Sequence, residues 1–397
     1  MRYLDDPPST ADLVIVGGGV IGAATAWHAA RVGMRPVLVE ARPALCTLTT
    51  PVAAGAFRLQ FDNLEELTLV RESAELFLNF EEMTGQRRYR LDVRQQGYLW
   101  LTTDDAMAAR QKEVAAQLHA WGQTDVEVLT GDEARSRFPF VGPNVLQARF
   151  RAGDGFLDTK QLTFGLAEAS DAGVVTGCRA TGFSVTADGG RLATVETTRG
   201  TISCGTAVVA GGPLSGVLAS TAGITLPIVT VRRNKLIFPA LPAVPPEAPM
   251  TIDEDTGSHW RPALTGAWLL FTDPATPPQE PTDAVTPDPA FAFQVMEPSS
   301  PVAVARVVPF WRDVWEDGAA PWMVQAGQYT VTPDHRPLIG PTGIEGLYVN
   351  TGYSGHGIML SAAGGRAMVD LLRGATTPAE NPFAVDRAFA EGPPPTL

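Results

Sequence analysis

The sequence predicts an α/β (α+β) fold in which a Rossmann-like domain is interleaved with a second domain. The chain has 397 residues, more than one average domain holds. A short apolar run at residues 12–16 leads through a glycine-rich turn into a helical pattern, which is the order of a parallel-sheet unit. Glycine is abundant, with 39 residues, and it is concentrated at residues 17–22 and again at 340–365.

The composition excludes several classes of protein. Hydrophobic residues make up 45% of the chain, which supplies a large core and excludes wholesale disorder. The net charge of −13 has the wrong sign for a surface that binds phosphates, so neither nucleic acid nor an anionic membrane is expected as a partner. The N-terminus lacks the pattern of a signal peptide, and no apolar stretch is long enough to cross a bilayer, so a soluble protein is expected.

The chain has three cysteines, Cys46, Cys178 and Cys204, and no two of them form a C-x-x-C pair. A disulfide framework and a cysteine-rich zinc site are therefore not expected, and a reducing compartment, the cytoplasm, fits this usage. No set of His, Asp and Glu has metal-ligand spacing, so no metal site is expected.

The glycine-rich turn has the pattern G-x-G-x-x-G, with Gly17, Gly19 and Gly22 at the three fixed positions. Gly17 allows the tight turn, Gly19 lets a pyrophosphate approach the backbone, and Gly22 lets the following helix pack on the strand. A second strand at 36–39 ends at Glu40, at roughly the 20-residue distance where an acid can accept hydrogen bonds from a ribose. The segment predicts dinucleotide binding; a glycine-rich turn in an unrelated α/β protein is the alternative.

The remaining chain alternates between predicted helices and strands without an internal repeat. Helix-forming patterns predict helices over 64–83, 104–121, 132–138, 159–172 and 360–372. Runs rich in apolar, β-branched or aromatic residues predict strands over 96–101, 206–213, 267–271 and 290–295. Because strand-like runs interrupt the proline-rich stretch 239–301, we interpret it as loops of a second domain rather than as a linker.

Two segments near the C-terminus complete a combination typical of one superfamily. Residues 332–340 (TPDHRPLIG) and 346–350 (GLYVN) precede the glycine-rich segment 352–359 (GYSGHGIM) and a helix. Together with the N-terminal motif and with residues 53–61 and 96–99, they resemble the D-amino-acid oxidase superfamily of FAD-dependent oxidoreductases. The similarity points to the branch of sarcosine oxidase β-subunits, dimethylglycine dehydrogenase and proline dehydrogenase β-subunits.

The resemblance implies a Rossmann-like FAD-binding domain and a second, antiparallel-sheet domain for the substrate. The FAD domain would comprise residues 11–85, 145–220 and 325–385, and the substrate domain residues 86–144 and 221–324. Carried over position by position, FAD would contact the following residues: Gly17, Gly19, Val20, Ile21, Gly22, Glu40, Ala41, Arg42, Thr49, Ala54, Gly55, Ala180, Gly211, Gly352, Ser354, Gly355, His356, Gly357 and Ile358. Monomeric sarcosine oxidases attach their flavin to a cysteine at the position of Gly327, so non-covalent FAD is expected here.

Three further positions depart from the pattern of the superfamily. The lysine that activates oxygen in sarcosine oxidases falls near Leu269, which leaves dehydrogenase activity open. The lysine and the arginine that hold the substrate carboxylate in different members fall at Met359 and Tyr329. The usual carboxylate partners are therefore missing at both positions.

The resemblance also points to candidates for catalysis and substrate binding. Arg58 matches a basic residue near the flavin, with a salt bridge as its alternative role. Tyr329 is placed in the active site, with a core tyrosine as its alternative, and His356 lies in the cofactor segment. His259 and Arg261 could line the entrance for the substrate, with Arg261 as a substitute carboxylate partner.

The activity that the resemblance implies is FAD-dependent oxidation of the C–N bond of an amino acid or another primary or secondary amine, giving an imine. Oxygen or an electron carrier would reoxidise the flavin, and the chain could act alone or in a homo- or hetero-oligomer. Two alternatives stay open: oxidation of a 2-hydroxy acid on the same fold, and a flavin-bearing assembly factor or complex subunit without turnover of its own.

Overall fold

The computed structural model describes residues 1–390, which form two large sheets, two small sheets and the helices around them. The strands are β1 (Arg2–Tyr3), β2 (Leu13–Val16), β3 (Pro36–Val39), β4 (Ala56–Phe57), β5 (Tyr98–Thr102), β6 (Glu127–Thr130), β7 (Gln147–Arg151), β8 (Gly155–Phe156), β9 (Gly173–Val175), β10 (Ala180–Val185), β11 (Leu192–Thr197), β12 (Gly200–Ser203), β13 (Ala207–Val209), β14 (Val229–Phe238), β15 (Met250–Asp253), β16 (Ser258–Ala263), β17 (Gly266–Phe271), β18 (Met323–Val331), β19 (Leu338–Pro341) and β20 (Leu347–Thr351). The helices are α1 (Val20–Arg31), α2 (Leu64–Leu78), α3 (Phe80–Thr84), α4 (Asp105–Ala120), α5 (Gly131–Arg137), α6 (Thr159–Ala169), α7 (Ser215–Ser220), α8 (Ala290–Met296), α9 (Phe310–Asp317) and α10 (Gly357–Leu372).

The first large sheet has the strand order β1-β9-β3-β2-β13-β20-β19, and every neighbouring pair is parallel except β19 with β20. Its central strands are short aliphatic runs because both faces are covered, by α1, α2, α6 and α10 on one side and by the small sheet β10–β12 on the other. The strand order reverses beside β2, which is where open α/β sheets bind ligands.

The second large sheet has the order β18-β14-β17-β16-β15-β5-β7-β6 and is antiparallel except for the pair β5 and β15. Helices α8 and α9 cover one face and bury an apolar cluster around Trp260 and Trp311. The opposite face contacts the segment that precedes β4, because Lys235 and Arg261 donate hydrogen bonds to the backbone carbonyls of Pro51 and Ala54.

The strand assignments bear on where the two predicted domains meet. β7 and nearly all of β18 fall inside the predicted FAD-domain segments 145–220 and 325–385, yet both strands belong to the second sheet. We therefore propose that the substrate domain extends through Arg151 and that the last FAD-domain segment begins after Val331. A domain boundary that assigns strands of one sheet, or parts of one strand, to different domains would cut through the hydrogen bonds of that sheet.

One predicted strand is a helix. Residues 290–295 form most of α8, in which Phe291 and Val295, four positions apart, are both buried. The Asp288 carboxylate accepts a hydrogen bond from the backbone N–H of Ala290 at 3.0 Å and so satisfies one of the first amides of this helix. The other predicted helices and strands are confirmed with boundaries shifted by a few residues, and the helix predicted over 64–83 is divided at Asn79 into α2 and α3.

Candidate active site

A cleft of about 440 Å³ opens where the parallel strands of the first sheet end. Its walls come from the turn after β2, the ends of β3, β13 and β20, and the first residues of α1 and α10. Among the residues predicted to contact the cofactor, the cleft is lined by Gly17, Gly19, Val20, Ile21, Glu40, Ala41, Arg42, Thr49, Ala180, Gly211, Gly352, Ser354, Gly355, Gly357 and Ile358. The other four predicted residues, Gly22, Ala54, Gly55 and His356, lie outside this lining.

Two glycines of the N-terminal motif are required by close packing. Gly17 has a φ of +121°, and a Cβ atom there would lie 2.3 Å from the carbonyl oxygen of Ala210. A Cβ atom on Gly22 would lie 1.9 Å from the carbonyl oxygen of Gly17. No side chain fits at either position, so the turn brings the start of α1 against β2. The first amides of α1, which have no partner within the helix, therefore face the cleft as an anion site.

Glu40 lies at the end of β3 beside this turn. One carboxylate oxygen accepts from the N–H of Gly18 at 2.7 Å, and the other accepts from the N–H of Arg42 at 2.8 Å. Burial raises the pKa of Glu40, and these two hydrogen bonds partly oppose the rise. Each oxygen retains a further lone pair, so the carboxylate can also accept from ribose hydroxyls.

Residues 279–283, which we call the strap, border the end of the cleft that holds Glu40 and Arg42. The Asp283 carboxylate forms an ion pair with Arg179, and its carbonyl accepts a hydrogen bond from Arg42 at 2.7 Å. The side-chain amide of Gln328 on β18 both donates to and accepts from backbone groups of the strap. The second sheet therefore contributes to a wall of the cofactor cleft.

The C-terminal glycine segment turns sharply before α10. Gly352, Ser354 and Gly355 have φ values of +72°, +50° and +101°. A Cβ atom on Gly355 would lie 3.3 Å from the ring of Tyr329, so glycine lets the chain pass close to that ring. α10 begins at Gly357 with its N-terminus in the cleft wall, where the helix dipole stabilises negative charge.

These features fit a flavin dinucleotide. The start of α1 suits the pyrophosphate, Glu40 suits a ribose, and the N-terminus of α10 suits the negative charge of a reduced flavin. Gly327 offers no thiol for a covalent link, and a Cβ atom there would lie 3.3 Å from Cβ of Val52. Thr50 also lines the cleft beside the start of α1, where its hydroxyl accepts a hydrogen bond from the N–H of Val20 at 3.3 Å.

His356 forms a buried pair instead of lining the cleft. Its Nδ1 atom lies 3.0 Å from a carboxylate oxygen of Glu66 on α2, and both side chains are buried. The ring of Phe61 contacts the imidazole edge to face, with centroids 5.0 Å apart. The arrangement holds the residue that precedes α10, and a direct role of His356 with substrate stays a prediction.

Arg58 is buried against aromatic rings, with 3% of its surface exposed. Its guanidinium lies 4.7 Å from the ring centroid of Phe61 and 5.3 Å from that of Trp100. One of its terminal nitrogens lies 3.8 Å from the sulfur of Met359 on α10. The structure therefore brings Arg58 and Met359 together close to the start of α10.

One face of the second sheet carries most of the remaining candidates. Directly opposed residues of an antiparallel pair share a face: Arg233 opposes Gly327, Lys235 opposes Leu270, and Leu270 opposes His259. Because alternate residues of a strand also share a face, we define the basic face by the following residues: Gly327, Tyr329, Arg233, Lys235, Trp268, Leu270, His259 and Arg261. Tyr329 connects the basic face to the cleft, which it lines.

The two predicted substrate residues are both held by backbone carbonyls. Nδ1 of His259 lies 2.8 Å from the carbonyl of Gly257, and burial lowers the pKa of His259 to about 4. Nε of Arg261 donates to the carbonyl of Ala54 at 2.7 Å, and its guanidinium lies 4.0 Å from the ring centroid of Trp268. Burial lowers the pKa of Arg261 to about 9. Arg261 therefore anchors the segment before β4, and its role as a carboxylate partner stays a prediction.

Leu269 and its two neighbours on β17 lie on opposite faces of the second sheet. Leu269 is fully buried in the apolar cluster with Leu236 and Trp260, on the face of the sheet that points away from the basic face. Its neighbours Trp268 and Leu270 belong to the basic face, and neither is a lysine. A shift of one residue along a strand moves a side chain to the opposite face.

Sequence reasoning missed two basic residues on β14. Nζ of Lys235 donates to the carbonyl of Pro51 at 3.1 Å and lies 3.9 Å from the ring centroid of Trp268. Nη1 of Arg233 donates to the hydroxyl of Thr276 at 2.7 Å. The sequence signal is the polar run 232–235 within β14, since alternation along a strand places Arg233 and Lys235 on one face.

Three further findings concern cysteines, metals and membranes. All three cysteines are buried and unpaired. Within residues 1–390, no group of three or more His, Cys, Asp or Glu side chains is placed to hold a metal ion. No helix in that part of the chain combines the length and apolar character that crossing a bilayer requires.

The fold and the cleft together are those of a class of α/β proteins suited to binding a dinucleotide at the edge of a parallel sheet, beside a second, mostly antiparallel sheet. A family model described as "FAD dependent oxidoreductase" (DAO) matches residues 12–371. The chain therefore belongs to the DAO family of FAD-dependent oxidoreductases, which confirms the predicted family and its cofactor, FAD.

Curated relatives show the same affiliation at low identity. The chain is 25% identical to FAD-dependent oxidoreductase domain-containing protein 1 of Xenopus laevis, over 93% of this chain and 80% of that one. It is 26% identical to human mitochondrial sarcosine dehydrogenase, over 91% of this chain and 39% of the relative, so it spans less than half of that protein. It is 26% identical to glycine oxidase of Pseudomonas putida, over 91% of this chain and 94% of that enzyme.

A solved structure supports the fold. L-proline dehydrogenase from P. horikoshii superposes with a TM-score of 0.81 at 23% identity, over 94% of this chain and 95% of that one. At this identity the likeness concerns the fold, and it confirms the mixed α/β class predicted from the sequence.

Proposed function

We propose that the protein oxidises the C–N bond of an amino acid or another primary or secondary amine, with FAD held in the cleft. Relatives whose names specify amine substrates support this, namely sarcosine dehydrogenase, dimethylglycine dehydrogenase and glycine oxidase. FAD supplies the acceptor for a hydride from the substrate carbon. The lone pair of the substrate nitrogen forms the C=N bond as the hydride leaves, the N–H proton of the resulting iminium passes to solvent, and water hydrolyses the imine.

The observation that carries the proposal is the position of Tyr329, which lines the cleft and belongs to the basic face. A substrate beside Tyr329 would lie near the positive charges of Arg233 and Arg261, which share the basic face with it. Positive charge nearby lowers the pKa of an ammonium and so favours the neutral amine, whose lone pair the reaction needs. The same charges attract an acidic group. An amino acid with a neutral amine satisfies both conditions.

The candidate residues take different roles in this proposal. Tyr329 orients the substrate, because its ring packs beside Gly355 at the start of the α10 segment. Arg58 adds positive charge beside α10 and stabilises negative charge that develops there. His356 is a positioning residue, because Glu66 holds its ring and the residue immediately precedes α10.

Several finer properties belong to the same proposal. FAD is bound without a covalent link, because Gly327 offers no thiol, and acid precipitation of the protein would then release all of its flavin into the supernatant. The electron acceptor is oxygen or an electron carrier, and the chain works alone or in a homo- or hetero-oligomer. Three unpaired thiols favour a reducing compartment such as the cytoplasm.

The deciding experiment is anaerobic mixing of the FAD-loaded protein with a panel of amines and amino acids and with the matching 2-hydroxy acids. Loss of the oxidised flavin absorbance with amines, and formation of the corresponding carbonyl product, is the expected result. Bleaching by hydroxy acids alone would replace the proposal by hydroxy-acid oxidation. No bleaching by either panel, together with a stable protein partner on size exclusion, would favour an assembly or complex subunit.

A further inference from the structure

A fully buried carboxylate lies beside the segment that carries Arg58. Asp154 immediately precedes β8, and Arg58 immediately follows β4, so the antiparallel pairing of these two strands brings the two residues side by side. Oδ1 of Asp154 accepts from the N–H of Leu59 at 2.8 Å, and Oδ2 accepts from the side-chain amide of Gln60 at 2.8 Å. One carboxylate therefore binds both residues that follow Arg58 in the chain.

The side chain of Gln60 is fixed from its other end as well. Its Oε1 atom accepts from Nη1 of Arg149 at 2.9 Å, and Arg149 forms a buried ion pair with Glu254. The amide cannot turn round, because its NH₂ group would then face the guanidinium of Arg149. The backbone carbonyl of Gln60 accepts from Nε of Arg58 at 3.4 Å. Gln60 thus connects Asp154 to the guanidinium of Arg58.

Asp154 is itself held by a cation nearer the surface. Nη1 of Arg151 donates to its Oδ1 at 2.6 Å, and Arg151 also pairs with the exposed Asp125 at 2.9 Å. Burial raises the pKa of Asp154, while the charge of Arg151 and the hydrogen bonds from Gln60 and Leu59 oppose the rise. Three donors converge on two oxygens, so the arrangement fits the ionised carboxylate, which only accepts hydrogen bonds.

Arg58 extends from these contacts toward the cofactor cleft. One of its terminal nitrogens lies 3.8 Å from the sulfur of Met359 in the first turn of α10. The preceding residue, Ile358, lines the cleft. A cation at this point adds to the positive end of the helix dipole, so a displaced Arg58 would stabilise negative charge in the cleft less well.

We propose that Asp154 is a positioning residue, which fixes Leu59 and Gln60 so that Arg58 stays beside the start of α10 and raises the reduction potential of the bound flavin. The inference rests on the proposed amine oxidation and on the role of Arg58 in it. Reduction brings negative charge onto a flavin, so a cation nearby makes reduction more favourable. Asp154 acts through Arg58, because its own negative charge has the opposite effect.

The test is the midpoint potential of the FAD-loaded protein, measured anaerobically by equilibration with reference dyes. Wild type, Asp154→Asn, Arg58→Met and the double variant form a cycle that isolates the coupling between the two residues. Asp253→Asn is the matched control, because Asp253 is also buried and pairs with an arginine, Arg306. Its neighbour on β5 is Leu101, which belongs to the apolar cluster on the other face of the sheet.

Asp154→Asn should shift the reduction equilibrium about three- to tenfold toward oxidised flavin, which lowers the potential by about 15–30 mV for a two-electron couple. Asp253→Asn should leave the potential unchanged, and Asp154→Asn should cause no further lowering when Arg58 is already replaced. An unchanged or raised potential in Asp154→Asn, or an equal lowering with and without Arg58, would overturn the proposal. FAD content is measured first, and Gln60→Met replaces Asp154→Asn in the cycle if the latter does not retain FAD.

The potential is measured without turnover. If amines fail to reduce the flavin while the cycle gives the expected shifts, the proposed reaction fails and the role of Asp154 stands. If amines reduce the flavin and Asp154→Asn has the potential of wild type, the reaction stands and the role of Asp154 fails.

Discussion

Nδ1 of His356 lies 3.0 Å from a carboxylate oxygen of Glu66, although 290 positions separate the two residues. The second oxygen of Glu66 accepts a hydrogen bond from the side chain of Asn63 at 2.8 Å. Burial acts to raise the pKa of Glu66, but the charge of His356 and the hydrogen bonds from His356 and Asn63 prevail and lower it. The pair fastens α2 to the residue that precedes α10 and so fixes one wall of the cleft.

Replacing Glu66 by alanine should lower the free energy of unfolding by about 3 kcal/mol, because it leaves the buried His356 ring without its partner. Glu65→Ala is the control, since Glu65 is more exposed and lies 3.6 Å from Arg336; its effect should stay within about 0.5 kcal/mol. Urea denaturation of the FAD-loaded proteins measures both. Equal losses in the two variants would contradict a stabilising pair.

The Glu66 contribution also has a defined pH dependence. The pKa of Glu66 is lowered from 4.5 in the folded state, so the stabilisation is present above that value and is lost as the pH falls through the folded pKa. The difference in stability between wild type and Glu66→Gln should therefore shrink as the pH falls through the folded pKa of Glu66. A difference that grows as the pH falls would show that the sign is wrong.

Gly22→Ala should abolish or weaken FAD binding by at least tenfold. A methyl group at Gly22 meets the carbonyl oxygen of Gly17, so the turn that presents the first amides of α1 must open. Gly205→Ala is the matched control, because a Cβ atom there has no neighbour within 4 Å. FAD retained after gel filtration, together with the affinity measured on re-addition, reports the effect. Retention of FAD by Gly22→Ala at the level of the control would refute the assignment of this turn.

Asp283→Ala should accelerate release of FAD severalfold, with little change in overall stability. The ion pair of Asp283 with Arg179 helps to hold the strap against the cleft, and exposed ion pairs contribute about 0–1 kcal/mol. Raising the salt concentration should speed release from wild type and leave the variant nearly unaffected. Asp188→Ala, in an exposed turn outside the cleft lining, is the control. Stopped-flow release of FAD is the measurement.

Local patterns explain what could be predicted of the fold. The glycines at 17–22 lie between an apolar strand and a helix, so their spacing and this context together predict the turn, and the structure contains it. The strand predicted at 290–295 is a helix, and the prediction was wrong because the apolar residues of this run are compatible with both a strand and a short helix. Asp288 and Pro289 before it are the signals for a helix start that decide the question.

The candidate site depends on pairings that the sequence does not contain. Glu66 reads as one acid of an amphipathic helix, and only the fold reveals His356 as its partner. The register of the second sheet decides that Leu269 faces the apolar cluster while Leu270 lies on the basic face. Arg233 is identified as a candidate only when its burial and its position opposite Gly327 are known.

Lys235 gives the last prediction, because it is a buried lysine that forms no ion pair with an acid in residues 1–390. Only 1% of its surface is exposed, and its Nζ atom donates to the carbonyl of Pro51. Burial, together with the positive charges of Arg261 and Lys160, lowers the pKa of Lys235 from 10.5 to about 7. Between these values the unfolded chain carries a proton that the folded protein lacks, so the stability of the folded protein rises with pH across this interval.

Lys235→Met should therefore stabilise the protein at pH 6, where the buried charge is most costly. The change in pKa corresponds to roughly 5 kcal/mol, at about 1.36 kcal/mol for each pH unit. Loss of the hydrogen bond to Pro51 and of the contact with Trp268 offsets about 2 kcal/mol of this stabilisation. The net gain of about 3 kcal/mol at pH 6 should diminish as the pH rises, reverse in sign near pH 9 and be a net loss by about pH 10. Denaturation of wild type, Lys235→Met and the exposed control Lys112→Met between these pH values tests it, and a parallel pH dependence in wild type and Lys235→Met would show that Lys235 stays charged in the fold.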